Sequence, residues 1–256
     1  MKSGICVLNA IPLRKEADNK SELVSQILFG ETFRIIRSEK HWLQIECDYD
    51  NYQGWVLKNQ IEELNEEFYL QISNSDVIYT DELVSFLSEK NNLLTTISLG
   101  ASLPLLQQNT FNINNKEFHF EGENKTGVYT KSEIVKTAYL YLNSPFLWGG
   151  KTPFGLDCSG FTQMAYRING HFLYRDAHQQ AGQGEVLSFI EESEAGDLAF
   201  FDDEEGNIIH VGIILHNNHI IHCHGKVRID RLDQSGIFNI DTKRHTHNLR
   251  IIKKIF

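Results

Sequence analysis

Cys158 and His210 stand fifty-two residues apart, and His222 follows twelve residues later. One cysteine with histidines far downstream is the outline of a cysteine hydrolase, where a thiolate attacks a carbonyl and an imidazole moves the proton. The setting of Cys158 sharpens that reading. It lies in Asp157-Cys158-Ser159-Gly160-Phe161, directly after the turn-rich run Trp148-Gly149-Gly150-Lys151-Thr152-Pro153-Phe154-Gly155. Pro and Gly end any earlier element, and Ser159 and Gly160 suit a helix N-terminus. Phe161, Met164, Ala165 and Ile168 then recur at helical spacing, so Cys158 is predicted in the first turn of a buried helix. The positive end of a helix dipole favours a thiolate over a thiol. A structural thiol is the usual fate of a free cysteine; the glycine-rich approach, the helix start and the downstream histidine strands together favour the nucleophile.

The histidines invite a second chemistry. His210, His216, His219, His222 and His224 fall within fifteen residues, which raises a metal reading. No HExxH is present, and no carboxylate sits at helical spacing from two of them, so no metal is expected. Ile208 to Leu215 and His219 to His224 read instead as the two strands of a hairpin, with His216 and His219 at its solvated turn. Register decides which histidines meet. A two-residue turn at Asn217-Asn218 puts His210 and His222 on opposite faces, because side chains alternate along a strand. A three-residue loop at His216-Asn217-Asn218 shifts register by one and sets His222 opposite Gly212, making His210 and His222 diagonal neighbours. The same register sets His224 opposite His210, so either histidine could serve His210.

Several elements must position these groups. Ser132 is predicted to cap a helix running to Tyr141, with Ile134, Val135, Ala138 and Leu142 on its buried face and Pro145 ending it. A polar loop over residues 123–127 reads as a domain boundary. Before it, from about Leu13 to Leu64, short alternating runs at Phe33–Ile36, Trp42–Ile45 and Gly54–Leu57 fit a small β-barrel. From Glu66 to Gly122, Phe68–Ile72, Leu93–Ile97 and Phe118–Phe120 read as further strands, and Asp81–Leu87 as a helical insert.

Composition bounds the rest. The 256 residues are 41% hydrophobic, enough for packed cores in two or three domains. A formal net charge of −10 excludes the basic footprint of a nucleic-acid or anionic-membrane binder. Cys6, Cys47, Cys158 and Cys223 are scattered without a CxxC pair, which fits neither a zinc ribbon nor a disulfide framework. Near the N-terminus Ile5–Leu8 is too short for a signal-peptide apolar core, so a cytoplasmic location is expected. No cofactor is expected, and the chain is expected to be a monomer.

At this point a resemblance becomes specific. Pro145-Phe146-Leu147-Trp148-Gly149-Gly150 followed by Asp157–Phe161 resembles the nucleophile region of NlpC-type cysteine peptidases. Arg175-Asp176-Ala177 with Gln180-Ala181 and Gly184 resembles the family's arginine-aspartate loop, although Ala177 stands where Ser is common. Ala195–Phe201, His210–Ile213 and Ile220-Ile221-His222 are similar to the family's next three motifs in order. The series Leu13-Arg14, Ser21, Gly30-Glu31, Trp42 and Gly54-Trp55-Val56 is similar to bacterial SH3-like domains. The resemblance implies an α+β fold: a papain-like catalytic domain at 125–256, preceded by an SH3-like barrel at 1–64 and a degenerate second one at 65–124. It implies a Cys158, His210, His222 site in which His210 is the base and His222, following the paired isoleucines, orients it. It also implies a γ-D-glutamyl–L-diamino acid endopeptidase whose partner is a short murein peptide with a free N-terminal L-Ala, acting in cell-wall peptide recycling. Substrate contacts are then expected at Trp148, Asp157, Ser159, Arg175 and Asp176, and at Glu31 and Tyr52 of the first barrel. Arg175 is expected to meet the α-carboxylate of D-Glu, and the acidic residues the substrate ammonium. A non-catalytic binding module and an amidase or transpeptidase on the same scaffold stay open as alternatives.

Overall fold

The computed structural model describes residues 2–89 and 93–256. The chain forms two compact units, 1–127 and 128–256. Among the described residues no helix is long and apolar enough to cross a membrane.

In the first unit, β1 (Ser3–Cys6), β2 (Ala10–Arg14), β3 (Leu23–Leu28), β4 (Thr32–Ser38), β5 (Trp42–Cys47), β6 (Gln53–Leu57) and β7 (Ile61–Leu64) make one antiparallel sheet. Its strand order is β3-β2-β6-β5-β4-β1-β7. Leu43, Ile45 and Cys47 alternate inward along β5 while Trp42, Gln44 and Glu46 remain partly exposed, the period-2 pattern of a half-buried strand. Ile27, on the edge strand β3, shares a core cluster with Cys6 from β1 near the other edge, so the sheet curls around its core as a small barrel.

The rest of this unit departs from the sequence expectation twice. Phe68–Ile72, expected as a strand, belongs to α1 (Glu66–Ser73), because the Asn65 side chain caps it by accepting the Phe68 N–H at 2.8 Å. After β8 (Tyr79–Thr80), the expected helical insert gives way to β9 (Val84–Glu89), where Ser85 and Leu87 are buried between exposed Val84 and Phe86. Then follow β10 (Leu94–Ser98), β11 (Thr110–Ile113), β12 (Lys116–Phe120) and β13 (Asn124–Lys125), with β10-β9-β12-β11 forming a four-stranded sheet. This sheet does not build a core of its own. Leu87, Ile97, Phe111, Phe118 and Phe120 pack with Ile5, Phe29 and Leu64 of the first barrel, Phe29 meeting Phe118 edge-on at 5.7 Å. The join is tight at Gly30 (φ 77°), where a Cβ would lie 2.0 Å from the Ser102 carbonyl oxygen. Residues 1–64 and 65–124 therefore share a hydrophobic core within one compact unit.

The second unit opens with α2 (Lys131–Leu140), capped at Thr130 and not at Ser132, whose hydroxyl meets Thr130 Oγ1 at 2.8 Å. Its Ile134 and Ala138 are buried, whereas Leu142 lies beyond its end and is exposed. The hairpin β14 (Lys151–Thr152) and β15 (Gly155–Leu156) leads into α3 (Cys158–Arg167), and α4 (Ala177–Gln180) follows. Then come β16 (Glu185–Leu187), β17 (Leu198–Asp202), β18 (Ile208–Leu215), β19 (His219–His224), β20 (Lys226–Asp233), β21 (Gly236–Asn239) and β22 (Arg244–Lys254). The order is β16-β22-β17-β18-β19-β20-β21, and β21 pairs back to β22, so the sheet closes on itself. Ala199, Phe201, Ile214, Ile220, Leu232, Ile237 and Ile252 fill the core of that closed sheet. Helix α3 packs on β18 and β19, every residue from Ser159 to Arg167 being buried.

Candidate active site

Asp157 holds the start of α3. It is the N-cap, and its Oδ1 accepts the Gly160 N–H at 2.7 Å while Oδ2 accepts the Gly149 N–H at 2.8 Å. Arg175 closes on the same carboxylate as a fork, Nη1 to Oδ1 at 2.9 Å and Nη2 to Oδ2 at 2.7 Å, and Nη1 also donates to Ser159 Oγ at 3.0 Å. Gln180 ties α4 to the same turn by donating to the Ser159 carbonyl at 3.0 Å. Gly160 has to be glycine here, since a Cβ would stand 2.3 Å from the Gly150 carbonyl oxygen. The turn, the helix start and the arginine loop thus lock one another around Cys158.

These contacts revise the expected roles of Asp157 and Arg175. Arg175 is 1% exposed and its guanidinium is engaged by Asp157 and Ser159, so it meets no substrate carboxylate. Asp157 takes backbone and guanidinium donors on both oxygens, leaving it to build the turn and not to receive an ammonium group. Removing one partner of a buried pair strands the other charge, at a cost of about 3–5 kcal/mol. Arg175→Ala is therefore expected to lower the unfolding free energy by about that amount in a denaturant titration of the full chain. Arg175→Lys, which keeps the charge and loses the fork, should fall between. An Arg175→Ala protein as stable as the parent would sink this role.

Of the other expected substrate contacts, Trp148 is 61% exposed, Ser159 is buried beside Cys158, and Asp176 caps α4 with its N–H donating to Gln179 Oε1 at 3.1 Å. Glu31 and Tyr52 belong to the first unit, at the turn before β4 and the approach to β6.

Cys158 is the first residue of α3 and is partly exposed. Its thiol rests by the backbone N–H groups of Val211 and Ser159. The helix start is not the dominant influence on this thiol. Burial, then the adjacent Asp157 carboxylate, push the thiol up to about 12, against the Val211 N–H, the Arg175 guanidinium and the Ser159 N–H. The helix end offers little surplus positive charge because Asp157 already caps it.

The hairpin register resolves the histidines. Leu215 pairs with His219, so the loop is His216-Asn217-Asn218, three residues, and His222 stands opposite Gly212. Asn217 and Asn218 both take positive φ, 58° and 56°, a conformation asparagine tolerates. A Cβ on residue 212 would lie 2.8 Å from His222 Cβ, so the glycine makes room for that ring. His210 Nε2 and His222 Nδ1 are 2.8 Å apart. His224 is exposed, its ring centroid 6.4 Å from that of His210. Burial, then the neighbouring His222, His247 and His224, hold His210 well below its ordinary pKa; burial likewise lowers His222 against the pull of Asp230. Among the described residues no group of three or more His, Cys, Asp or Glu side chains is arranged to hold a metal ion.

Two residues at this site escaped the sequence reading. His247, on β22, stacks on His210 with centroids 4.3 Å apart, and burial lowers it to about 4. Nothing in its local sequence marks it. Asp230, on β20, receives His222 Nε2 at 3.1 Å and is fully buried. A buried aspartate at an inward position of a strand beside the histidine hairpin is a signal that alternation could have exposed.

Comparison with known proteins agrees with this geometry. Residues 143–245 match the NlpC/P60 family and residues 13–61 match the bacterial dipeptidyl-peptidase SH3 domain. A Bacillus subtilis protein named gamma-D-glutamyl-L-lysine dipeptidyl-peptidase is 28% identical over 77% of this chain and 71% of its own length. A Lysinibacillus sphaericus protein named dipeptidyl-peptidase 6 is 25% identical over 91% of this chain and 92% of its own. The crystal structure of an NlpC/P60 family protein from Bacillus cereus superposes with a TM-score of 0.84 over 99% of both chains at 19% identity, a likeness of fold. The chain thus carries a segment, residues 143–245, that matches the NlpC/P60 family, and before it a segment, residues 13–61, that matches the bacterial dipeptidyl-peptidase SH3 domain.

Proposed function

We propose that this protein hydrolyses the γ-D-glutamyl–L-diamino acid bond of short murein peptides with a free N-terminal L-Ala, in the recycling of cell-wall peptides. The observation that carries the reading is the His210–His222 hydrogen bond on the strand whose Val211 N–H lies against the Cys158 thiol. The name of the Bacillus subtilis relative, which this chain matches over 71% of that protein's length, supports the choice of bond. In this mechanism the Cys158 sulfur attacks the γ-carbonyl as its proton passes to His210. His210 then gives the proton to the leaving amine, and water hydrolyses the thioester with the same imidazole as base. The Cys158 N–H, in the first turn of α3 where no helical carbonyl meets it, is suited to the developing oxyanion. The test is incubation with L-Ala-γ-D-Glu-L-Lys and L-Ala-γ-D-Glu-diaminopimelate, with products read by mass spectrometry. Release of the free diamino acid, blocked by N-acetylation of the peptide, supports the reading; an intact peptide or cleavage elsewhere overturns it.

The electrostatics set a pH dependence. Burial pushes the thiol up to about 12 and holds His210 well below its ordinary value, which favours attack from thiol plus imidazole over a preformed ion pair. Protonating His210 removes the base, and its lowered pKa defers that loss to pH values well below 6.5. The acid limb of kcat/KM, which reports the free enzyme, is therefore expected below pH 6.5. An acid limb at or above that value would contradict the neutral pair.

A further inference from the structure

The hydrogen-bonded series does not stop at His222. Arg228 stands opposite His222 across the β19–β20 pair and Asp230 opposite Ile220, so the Asp230 carboxylate is a diagonal neighbour of the His222 ring. Arg228 holds that carboxylate as a fork, Nε to Oδ2 at 2.7 Å and Nη2 to Oδ1 at 2.9 Å, and the Ile240 N–H donates to Oδ1 at 3.1 Å. Burial by itself would raise the Asp230 carboxyl, but the bonds from His222, Arg228 and the Ile240 N–H together hold it well below the usual carboxylate range.

Resting on the reading of His210 as the base, we infer that Asp230 is a positioning residue that fixes which nitrogen carries the proton in both His222 and His210. An ionised carboxylate can only accept, so His222 Nε2 must be the protonated nitrogen. A neutral imidazole with its proton on Nε2 presents a lone pair at Nδ1, and Nδ1 is the atom 2.8 Å from His210 Nε2. His210 Nε2 must then donate, which leaves the lone pair on His210 Nδ1, the nitrogen that can take the Cys158 proton. The reverse pattern puts a proton on His210 Nδ1 and abolishes the base. Two neutral histidines hydrogen-bonded to each other allow both patterns; only an acceptor-only neighbour at one end selects between them. Asp230 is that neighbour.

Asp230→Asn exchanges this selection with little change of shape. The amide has one oxygen for the four donors around the two carboxylate oxygens. Placed at Oδ1 it still serves Arg228 Nη2 and the Ile240 N–H; the amide NH2 then faces His222 Nε2 and forces that nitrogen to accept, while Arg228 Nε loses its acceptor and the guanidinium keeps Asp241. Both imidazoles reverse.

The experiment is nitrogen-15 NMR of the histidines in the full-length protein, read through the couplings that separate N–H from lone-pair nitrogens, together with the rate of Cys158 alkylation by iodoacetamide. Neither readout needs a peptide substrate, so a wrong assignment of the scissile bond would leave both intact. The wild type is expected to show His222 and His210 protonated at Nε2. Asp230→Asn is expected to reverse both tautomers and to slow Cys158 alkylation. On a cleaved peptide its kcat should fall about 10²–10⁴-fold with KM little changed, the scale on which a misplaced triad proton acts. A wild-type His222 protonated at Nδ1 overturns the proposal by itself, whether or not the variant folds. So does a folded Asp230→Asn protein in which the tautomers or the alkylation rate stay as they were.

Discussion

Cys158→Ala is expected to reduce murein-peptide hydrolysis by about 10⁵-fold or more, the scale seen when the nucleophile of a covalent mechanism is removed. The fold should survive. Cys158 is partly exposed, and what anchors the start of α3 is Asp157 with Gly149, Gly160 and Arg175, none of which bonds through the sulfur. Circular dichroism and the unfolding midpoint should therefore match the parent while turnover disappears; comparable turnover in the variant would end the assignment. Alkylation gives an independent reading. Cys6, Cys47 and Cys223 are buried, and the Cys223 thiol donates to the Leu156 carbonyl at 3.2 Å. Burial also pushes the Cys223 thiol above its ordinary value. Cys158 should react first with iodoacetamide because it alone of the four is reachable, and not because it is a thiolate at rest. A faster Cys223 would contradict this ordering.

The helix start at Cys158 and the hairpin were legible because each follows from a local rule. Glycine and proline stop one element, an N-cap starts the next, and a three-residue loop puts His222 opposite Gly212 by parity alone. The electrostatics were not legible in the same way. A dipole argument assigns Cys158 a depressed pKa from its place on the helix, yet the sign depends on how deeply the thiol is buried and on Asp157 having already capped that helix. Arg175 read as a substrate ligand because its charge is visible in sequence and its partner, eighteen residues earlier, is not. Within the first unit, the exchange of strand for helix at Phe68–Ile72 and of helix for strand at Asp81–Leu87 has a common origin. Runs of five to seven residues fit both periods, and the choice is made by a cap in one case and by a neighbouring sheet in the other. Asp230 lies in a strand whose outward residues are charged too, so its charge does not mark it, and only its parity with Leu232 separates it from Arg231 and Asp233.

His222→Ala is expected to lower kcat about 10²–10³-fold with little change in KM, since orienting a base acts on the transition state more than on binding. His224→Ala should stay within about threefold of the parent, because its exposed ring is not the one bonded to His210. The geometry also orders the partial rescues. The contact to His210 is made through His222 Nδ1, two bonds from Cβ, and the side-chain oxygen of asparagine falls at that same distance along the chain. Glutamine carries its oxygen one bond farther, toward the space that Nε2 fills in front of Asp230. His222→Asn should therefore recover more of the rate than His222→Gln, and both should exceed His222→Ala. Had His210 been held through the far nitrogen of His222, glutamine would be the better replacement. An order of Gln above Asn would thus reject the Nδ1 contact while leaving His222 as the orienting residue, and a silent His222→Ala beside a damaging His224→Ala would reject both.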